Sequence, residues 1–230
     1  MSSARHRAPL LAGSGPTPWL CALGVALALT AGARANENPA KVHSLDGLLA
    51  GLRGLPGLSA HYREEKRITL LKQPLTSSGE IYFLPPAVFI RSTREPDPSV
   101  VIIDERALRV VDTGGERSVD AGAGSPLQQL MLGVRSVLAG DREKLERHYE
   151  AKFELRDGGG WRLTLKPRDP HLRKFLTQLA FEGKDLIVER LRWVEASGDS
   201  STLFFSKVDI GVRFGAADRK RLSKLPGTSR

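Results

Sequence analysis

From Leu58 onward the sequence alternates apolar and polar residues in short runs separated only by turns. The connections are brief, such as residues 76–79, Pro85-Pro86 and residues 96–98, and none leaves room for a helix between strands. Strands joined in this way are antiparallel neighbours, so the sequence predicts a meander. The candidate strands in this half are residues 59–71, 79–84, 87–93, 99–103, 107–111 and 116–119.

A second run of strands begins at Tyr149, and its first two members are the clearest in the chain. Tyr149 alternates with polar neighbours up to Leu155, and the pattern resumes at Trp161 after the Gly-rich turn of residues 157–160. One antiparallel sheet of ten or eleven strands is too large to stay flat and should curl toward a barrel. The predicted fold class is therefore mainly β with helices (α+β). The candidate strands here are residues 149–155, 161–166, 174–181, 185–195 and 201–209.

Three helices are predicted outside the strand runs. Ser44 is placed to cap a first helix, and Gly54 follows its leucine stripe of Leu45, Leu48, Leu49 and Leu52. Ser125 and Pro126 begin a helix over residues 126–139 that ends at Gly140. Asp141 is placed to cap a charged helix through His148.

The first 35 residues have the features of an export signal. Arg5 and Arg7 precede an apolar run at residues 19–30, and Ala33-Arg34-Ala35 provides the small residues that a signal peptidase accepts. We predict cleavage after Ala35, one folded domain over residues 36–215 and a basic tail over residues 216–230. The only cysteine, Cys21, lies within the predicted signal, so the mature chain should contain no disulfide.

The net charge of +9 falls to +6 when the three arginines of the predicted signal are removed. An exported protein is not expected to meet nucleic acid. The basic tail fits anionic lipid headgroups, a carboxylate-rich partner protein or a solvated end, and the sequence does not choose among them.

The polar residues do not form a catalytic or metal-binding pattern. The histidines have no metal-ligand spacing and no cysteine to join them, and the serines lie in turns without a nucleophile-elbow motif. The Gly-rich turn at residues 157–160 is not followed by a helix, which argues against a phosphate loop. We therefore predict no catalytic residue, no metal and no enzyme activity.

Residues 81–84 and 87–90 carry large apolar side chains on both faces, so something apolar must cover each face. The helix over residues 126–139 lies between the two strand runs and is placed to cross the open mouth of a curled sheet as a lid. On pattern alone the same residues suit a ligand cavity or a solid core. The candidate lining residues are Phe83, Phe89, Phe153, Trp161 and Phe175 on strands, with Leu127, Leu130, Met131, Val134 and Leu138 on the lid.

Several segments occur in the order known from one family. These are Tyr62-Arg63-Glu64-Glu65, the stretch LTSSGEIYF at residues 75–83, a proline before the third strand, Arg94-Glu95-Pro96, and the helix at residues 125–138. This ordered set resembles the LolA-like carriers, periplasmic proteins of Gram-negative bacteria that shuttle lipoproteins from the inner to the outer membrane. The resemblance implies an unclosed antiparallel β-barrel of about 10–11 strands, capped by a lid helix over an apolar cavity for acyl chains, without cofactor, metal or catalytic residue.

The resemblance also implies a function and partners. The expected chain is a monomeric periplasmic carrier with an acylated lipoprotein or lipid as cargo, an inner-membrane donor transporter and an outer-membrane acceptor. Two features depart from the usual carriers: Leu84 or Pro85 replaces their basic residue before the proline, and the end of the chain lacks their terminal strand and loop. The alternative is a periplasmic binding or sensor protein for a small lipid-like ligand, since a similar divergent branch is associated with polyketide and aryl polyene products.

Overall fold

One antiparallel sheet forms most of the computed structural model, which describes residues 42–86, 88–104, 108–119 and 133–224. The strands are β1 (Leu58–Arg67), β2 (Leu75–Leu84), β3 (Val88–Glu95), β4 (Ser99–Ile103), β5 (Leu108–Asp112), β6 (Gly115–Val119), β7 (Tyr149–Leu155), β8 (Gly160–Pro167), β9 (Leu176–Lys184), β10 (Ile187–Glu195) and β11 (Ser200–Asp209). Neighbouring strands follow the order β6-β5-β4-β3-β2-β1-β11-β10-β9-β8-β7. Strands β6 and β7 lie at opposite edges, so the sheet is not closed, and the predicted mainly β, unclosed antiparallel fold is confirmed.

The two predicted strand runs meet through β1 and β11. These strands pair along almost their whole length, from Ser59 opposite Asp209 to Arg67 opposite Ser200. The first and last long strands of the domain therefore lie side by side at the centre of the sheet. This pairing joins two local meanders into one sheet, and its long sequence separation cannot be read from either run alone.

The β1–β2 connection begins earlier than predicted. Strand β1 ends at Arg67 rather than at residue 71, and β2 starts at Leu75. Asp199 of the β10–β11 turn explains the early end, because its Oδ1 accepts hydrogen bonds from Thr69 N at 2.8 Å and Thr69 Oγ1 at 2.9 Å. The carboxylate holds the chain in a turn where the sequence pattern alone continues the strand.

The helices lie between and beside the strand runs. The predicted caps of the first and third helices are confirmed: Ser44 Oγ accepts from Gly47 N at 3.1 Å, and Asp141 Oδ1 from Lys144 N at 3.0 Å. Of the predicted lid helix, residues 133–138 are helical, and residues 126–132 lie outside the described residues. The helices are α1 (Leu45–Arg53), α2 (residues 133–138), α3 (Arg142–His148), α4 (Pro170–Arg173) and α5 (Ala216–Leu222).

Two short helices were not predicted. Helix α4 begins with Asp169, whose Oδ1 accepts from His171 N at 2.7 Å, and Pro170 follows at the first helical position. This Asp-Pro pair is a helix-start signal that the sequence pattern contains. Helix α5 falls in the segment assigned to a basic tail.

The two faces of the sheet carry separate apolar clusters. Side chains of β2 alternate between them: Ile81 and Phe83 belong to the inner cluster, and Leu84 belongs to the outer one. We call the face that carries Ile81 the inner face. Leu48, Leu49 and Leu52 of α1 are buried in its cluster, so α1 covers part of this face.

The C-terminal segment covers part of the outer face. The outer cluster contains Leu84, Ile90 and Leu222 of α5, and the ring of Phe214 meets Tyr82 edge-on at 6.2 Å. Burial raises the pKa of Tyr82 there. Both apolar faces of β2 are thus covered by protein, and residues 216–222 form a packed helix rather than a solvated end. Among the described residues, no helix has the length and apolarity needed to cross a membrane.

Candidate functional site

A cavity of about 200 Å³ lies against the inner face of the sheet. Strands β1–β4 and β9–β11 form its walls, and α2 adds Val134 and Leu138. Among the described residues, Arg91 is its only charged lining side chain. The lining residues are Leu58, Ala60, Ile81, Phe89, Arg91, Val101, Ile103, Val134, Leu138, Leu179, Phe181, Val188, Leu191, Trp193, Leu203, Phe205 and Val208.

Antiparallel register places the lining residues in rows across the strands. In one row, Ala60 of β1 lies opposite Ile81 of β2, which lies opposite Arg91 of β3 and then Val101 of β4. Directly opposite residues point to the same face, so a strand that alternates in period two contributes every second side chain to the cavity. Ala60 has the smallest side chain of the lining and leaves room at the β1 end of this row.

Helix α2 is held at its C-terminal end. Gly140 has a φ of 62° and closes the helix: its N–H donates to Val137 O at 3.0 Å, and Asp141 N donates to Ser136 O at 2.8 Å. Arg53 of α1 donates from Nη2 to Gly140 O at 2.5 Å. The described part of the lid is therefore fixed to α1.

Replacing Gly140 by alanine should loosen this attachment. A Cβ at Gly140 would lie 2.1 Å from the Leu49 carbonyl oxygen, in a left-handed conformation that costs roughly 1–2 kcal/mol for a non-glycine residue. We expect urea denaturation to show a loss of about 3 kcal/mol in unfolding free energy. Gly158→Ala is the matched control, because Gly158 has a φ of 72° and open space around its Cβ position. Equal losses in the two variants would contradict a close contact between α1 and the end of α2.

A polar network adjoins the cavity on the inner face. Arg91 Nη2 donates to Glu64 Oε2 at 2.5 Å and to Ser77 Oγ at 3.1 Å, and Ser77 Oγ donates to Glu64 Oε2 at 3.0 Å. Arg91 Nε donates to Tyr62 OH at 3.0 Å, and that hydroxyl donates to Thr93 Oγ1 at 2.9 Å. The side chain of Glu64 is only 9% exposed. A buried ion pair with several hydrogen bonds thus stands beside an apolar cavity.

Gly79 of β2 lies between the two network residues Tyr62 and Thr93. It lies opposite both Tyr62 and Thr93, and a Cβ there would come within 2.0 Å of the Ser92 carbonyl oxygen. The tyrosine hydroxyl reaches Thr93 on the far strand across this bare position. A glycine in the middle strand is therefore required by the close approach of the β3 backbone.

Neighbouring groups and burial shift the pKa of Arg91 in opposite directions. Burial by itself would lower the pKa of its guanidinium, but Glu64 and Tyr62 raise that pKa above its usual value. The guanidinium also lies over the Tyr62 ring, with its Cζ 4.7 Å from the ring centroid. Arg91 is therefore held as a cation at the cavity wall.

The structure brings some of the predicted lining residues together. Phe89, Val134 and Leu138 line the cavity. Phe83 is buried in the same inner cluster, opposite Leu58 and Phe89, but is not part of the lining. The lid positions Leu127, Leu130 and Met131 lie outside the described residues.

The other three predicted residues do not line the cavity. Trp161 packs over Gly183 and donates from its indole nitrogen to Asp185 O at 2.8 Å, and Phe153 stacks on it at 6.3 Å. This pair belongs to the packed part of the inner cluster. Phe175 precedes β9 instead of belonging to it, and its side chain is 53% exposed.

Sequence reasoning missed Arg91 and the aliphatic wall from β9–β11. Arg91 lies two positions after Phe89 on one strand, so period-two alternation already places both on one face. Leu179, Leu191 and Leu203 are leucines in ordinary alternating strands, and no sequence signal separates them from core residues. Among the described residues, no group of three or more His, Cys, Asp or Glu side chains is arranged to hold a metal ion.

Comparison with solved structures gives similarities of low sequence identity. A DUF1329 family protein from Desulfovibrio piger shares 10% identity, with 75% of this chain and 93% of that chain covered and a TM-score of 0.45. A LolA superfamily protein from Nitrosomonas europaea shares 12%, with 77% and 97% covered and a TM-score of 0.44. The MucA/MucB complex of Pseudomonas aeruginosa gives 12% identity, 76% and 58% coverage and a TM-score of 0.42.

No curated protein matches the sequence. The family model of the outer membrane lipoprotein carrier protein LolA matches residues 53–217, which include every strand of the sheet and the described part of the lid helix. Since this match covers more than half of the 230 residues, the chain belongs to the LolA family.

Proposed function

We propose that this protein is a periplasmic carrier that binds the acyl chains of a lipoprotein or a related lipid and moves them from the inner toward the outer membrane. The observation that carries the proposal is the apolar cavity between the inner face and α2. Each methylene that leaves water for such a cavity gains about 0.8 kcal/mol. In this proposal the chain is exported by its N-terminal signal, which is cleaved after Ala35.

Opening of the lid is part of the proposed cycle. A cavity of about 200 Å³ is smaller than the roughly 300–1,000 Å³ of usual ligand sites, so a whole acyl chain requires the lid to move outward. Val134 and Leu138 would then move with α2, while the strands keep the rest of the lining in place. A donor transporter and an acceptor at the two membranes would bias the open state.

The small cavity volume also favours a second candidate. A binding or sensor protein for one small lipid-like molecule would need less additional space than a carrier of whole acyl chains. Such a protein would hold its ligand without passing it between membranes. The chemical identity of the bound molecule distinguishes the two functions.

Native mass spectrometry of the mature protein, isolated gently from an envelope fraction, tests the proposal. Bound species with two or three acyl chains are expected for a carrier. One defined small molecule would favour the binding or sensor protein, and a protein that is ligand-free as isolated and also fails to bind acylated lipopeptide would overturn the carrier function.

A further inference from the structure

The charged lining residue Arg91 has donors that the network does not use. A guanidinium has five N–H donors. Nε bonds to Tyr62, and Nη2 bonds to Glu64 and Ser77, but Nη1 has no hydrogen bond to any residue within the described ranges. The Arg91 side chain keeps 25% of its surface accessible. A cavity ligand can therefore accept hydrogen bonds from Nη1.

The charge of Arg91 is already balanced. Glu64 pairs with it at 2.5 Å and is nearly inaccessible, so the pair adds no net charge to the cavity. A carboxylate on a ligand would add a second negative charge beside Glu64, and burying an unpaired charge is costly. An ester or amide carbonyl accepts the same hydrogen bonds without adding charge.

We propose that Arg91 recognises the ester or amide carbonyl at the head of an acyl chain, and that Glu64 makes the cavity discriminate against free fatty-acid carboxylates. This specificity rests on the proposed acyl-chain function and narrows it to esterified or amide-linked chains. Arg91 contacts the carbonyl oxygen, and Glu64 acts through Arg91 as a charge-balancing residue.

The register gives the direction in which such a ligand lies. The network residues Tyr62 and Glu64 follow Ala60 along β1, toward the β1–β2 turn, whereas Leu58 lies at the opposite end of the strand. The head therefore lies toward the β1–β2 turn and the chain extends toward Leu58.

Displacement of the uncharged dye N-phenyl-1-naphthylamine tests this inference with three probes of equal chain length at pH 9. Methyl oleate has an ester carbonyl, oleate has a carboxylate, and 1-octadecene has no oxygen. The wild-type protein is compared with Glu64→Gln, which keeps the side-chain shape but leaves Arg91 as a net positive charge, and with Glu64→Gln/Arg91→Met, which removes both charges.

In wild type we expect methyl oleate to bind at least about tenfold more tightly than oleate, because the oleate carboxylate would be buried beside Glu64 without a free counter-charge. Glu64→Gln should raise oleate affinity about tenfold and leave methyl oleate affinity within about twofold. The double variant should lose about tenfold for methyl oleate while 1-octadecene stays unchanged. The gain for oleate is the decisive result, because a purely structural ion pair would not produce it.

Failure of the inference differs from failure of the proposed function. If all three probes displace the dye and the variants do not alter their relative affinities, the cavity binds acyl chains without recognising the carbonyl at their head. That result overturns the inference. If no probe displaces the dye from folded wild-type protein, the acyl-chain function itself fails. Circular dichroism of each variant shows whether it is folded, and a double variant that binds methyl oleate with wild-type affinity would by itself contradict the expected loss.

Discussion

Substitution of Ala60 by phenylalanine should abolish acyl-chain binding while the protein remains folded. Ala60 lies in the middle of the lining, and cavities of roughly 150 Å³ accommodate a benzene ring, so a phenyl group would occupy most of the available 200 Å³. Exclusion of two methylenes alone costs roughly 1.6 kcal/mol, which is more than tenfold in affinity. Fluorescence titration with an acyl-chain probe measures the loss, and the melting temperature should stay unchanged or rise.

His61→Phe is the control for this substitution. His61 is the next residue on β1, is exposed and points to the opposite face, so the same side chain there leaves the cavity open. Its probe affinity should equal that of wild type. Unchanged binding by the Ala60→Phe protein would place the chain elsewhere, and unfolding of that protein would mean that the space is too tight for a ring.

Replacement of Arg91 by methionine should give the largest loss of stability of the single changes considered. Glu64 would remain as a buried carboxylate without its cation, and breaking a buried pair in this way costs about 3–5 kcal/mol. Urea denaturation measures the change in unfolding free energy. Arg147→Met, which removes an exposed pair with Glu143, should cost less than about 1 kcal/mol.

The double variant Arg91→Met/Glu64→Met separates pairing from packing. With both charges gone, most of the lost stability should return, because apolar residues of similar size often replace buried pairs at little cost. A double variant as unstable as Arg91→Met alone would show that the network stabilises the sheet by hydrogen bonds to Tyr62 and Ser77 rather than by charge pairing.

The fold was predictable because most neighbouring strands are joined by short turns and their apolar and polar residues alternate regularly. Alternation from Tyr149 to Leu155 and from Trp161 onward, with a Gly-rich turn between them, specifies a hairpin without any distant contact. Long-range contacts were not predictable in the same way. Asp199, in the β10–β11 turn, accepts a hydrogen bond from the residues that follow β1. Leu222 packs on the outer face, although it belongs to a segment whose sequence predicts a charged tail.

The cavity was only partly predictable for a related reason. Period-two alternation indicates which residues share a face, and it places Phe89 and Arg91 together. It does not indicate where packing leaves space. Trp161 is large and inward, yet Gly183 lets it pack tightly, whereas the small Ala60 leaves room among aliphatic neighbours.

Nuclear Overhauser contacts between a bound acyl chain and methyl-labelled protein show on which face of the sheet the chain lies. For a chain on the inner face, under α2, we expect contacts from chain methylenes to the methyl groups of Leu179, Val188 and Leu191. Contacts confined to outer-face methyl groups, such as those of Val100 and Ile102, would contradict this placement.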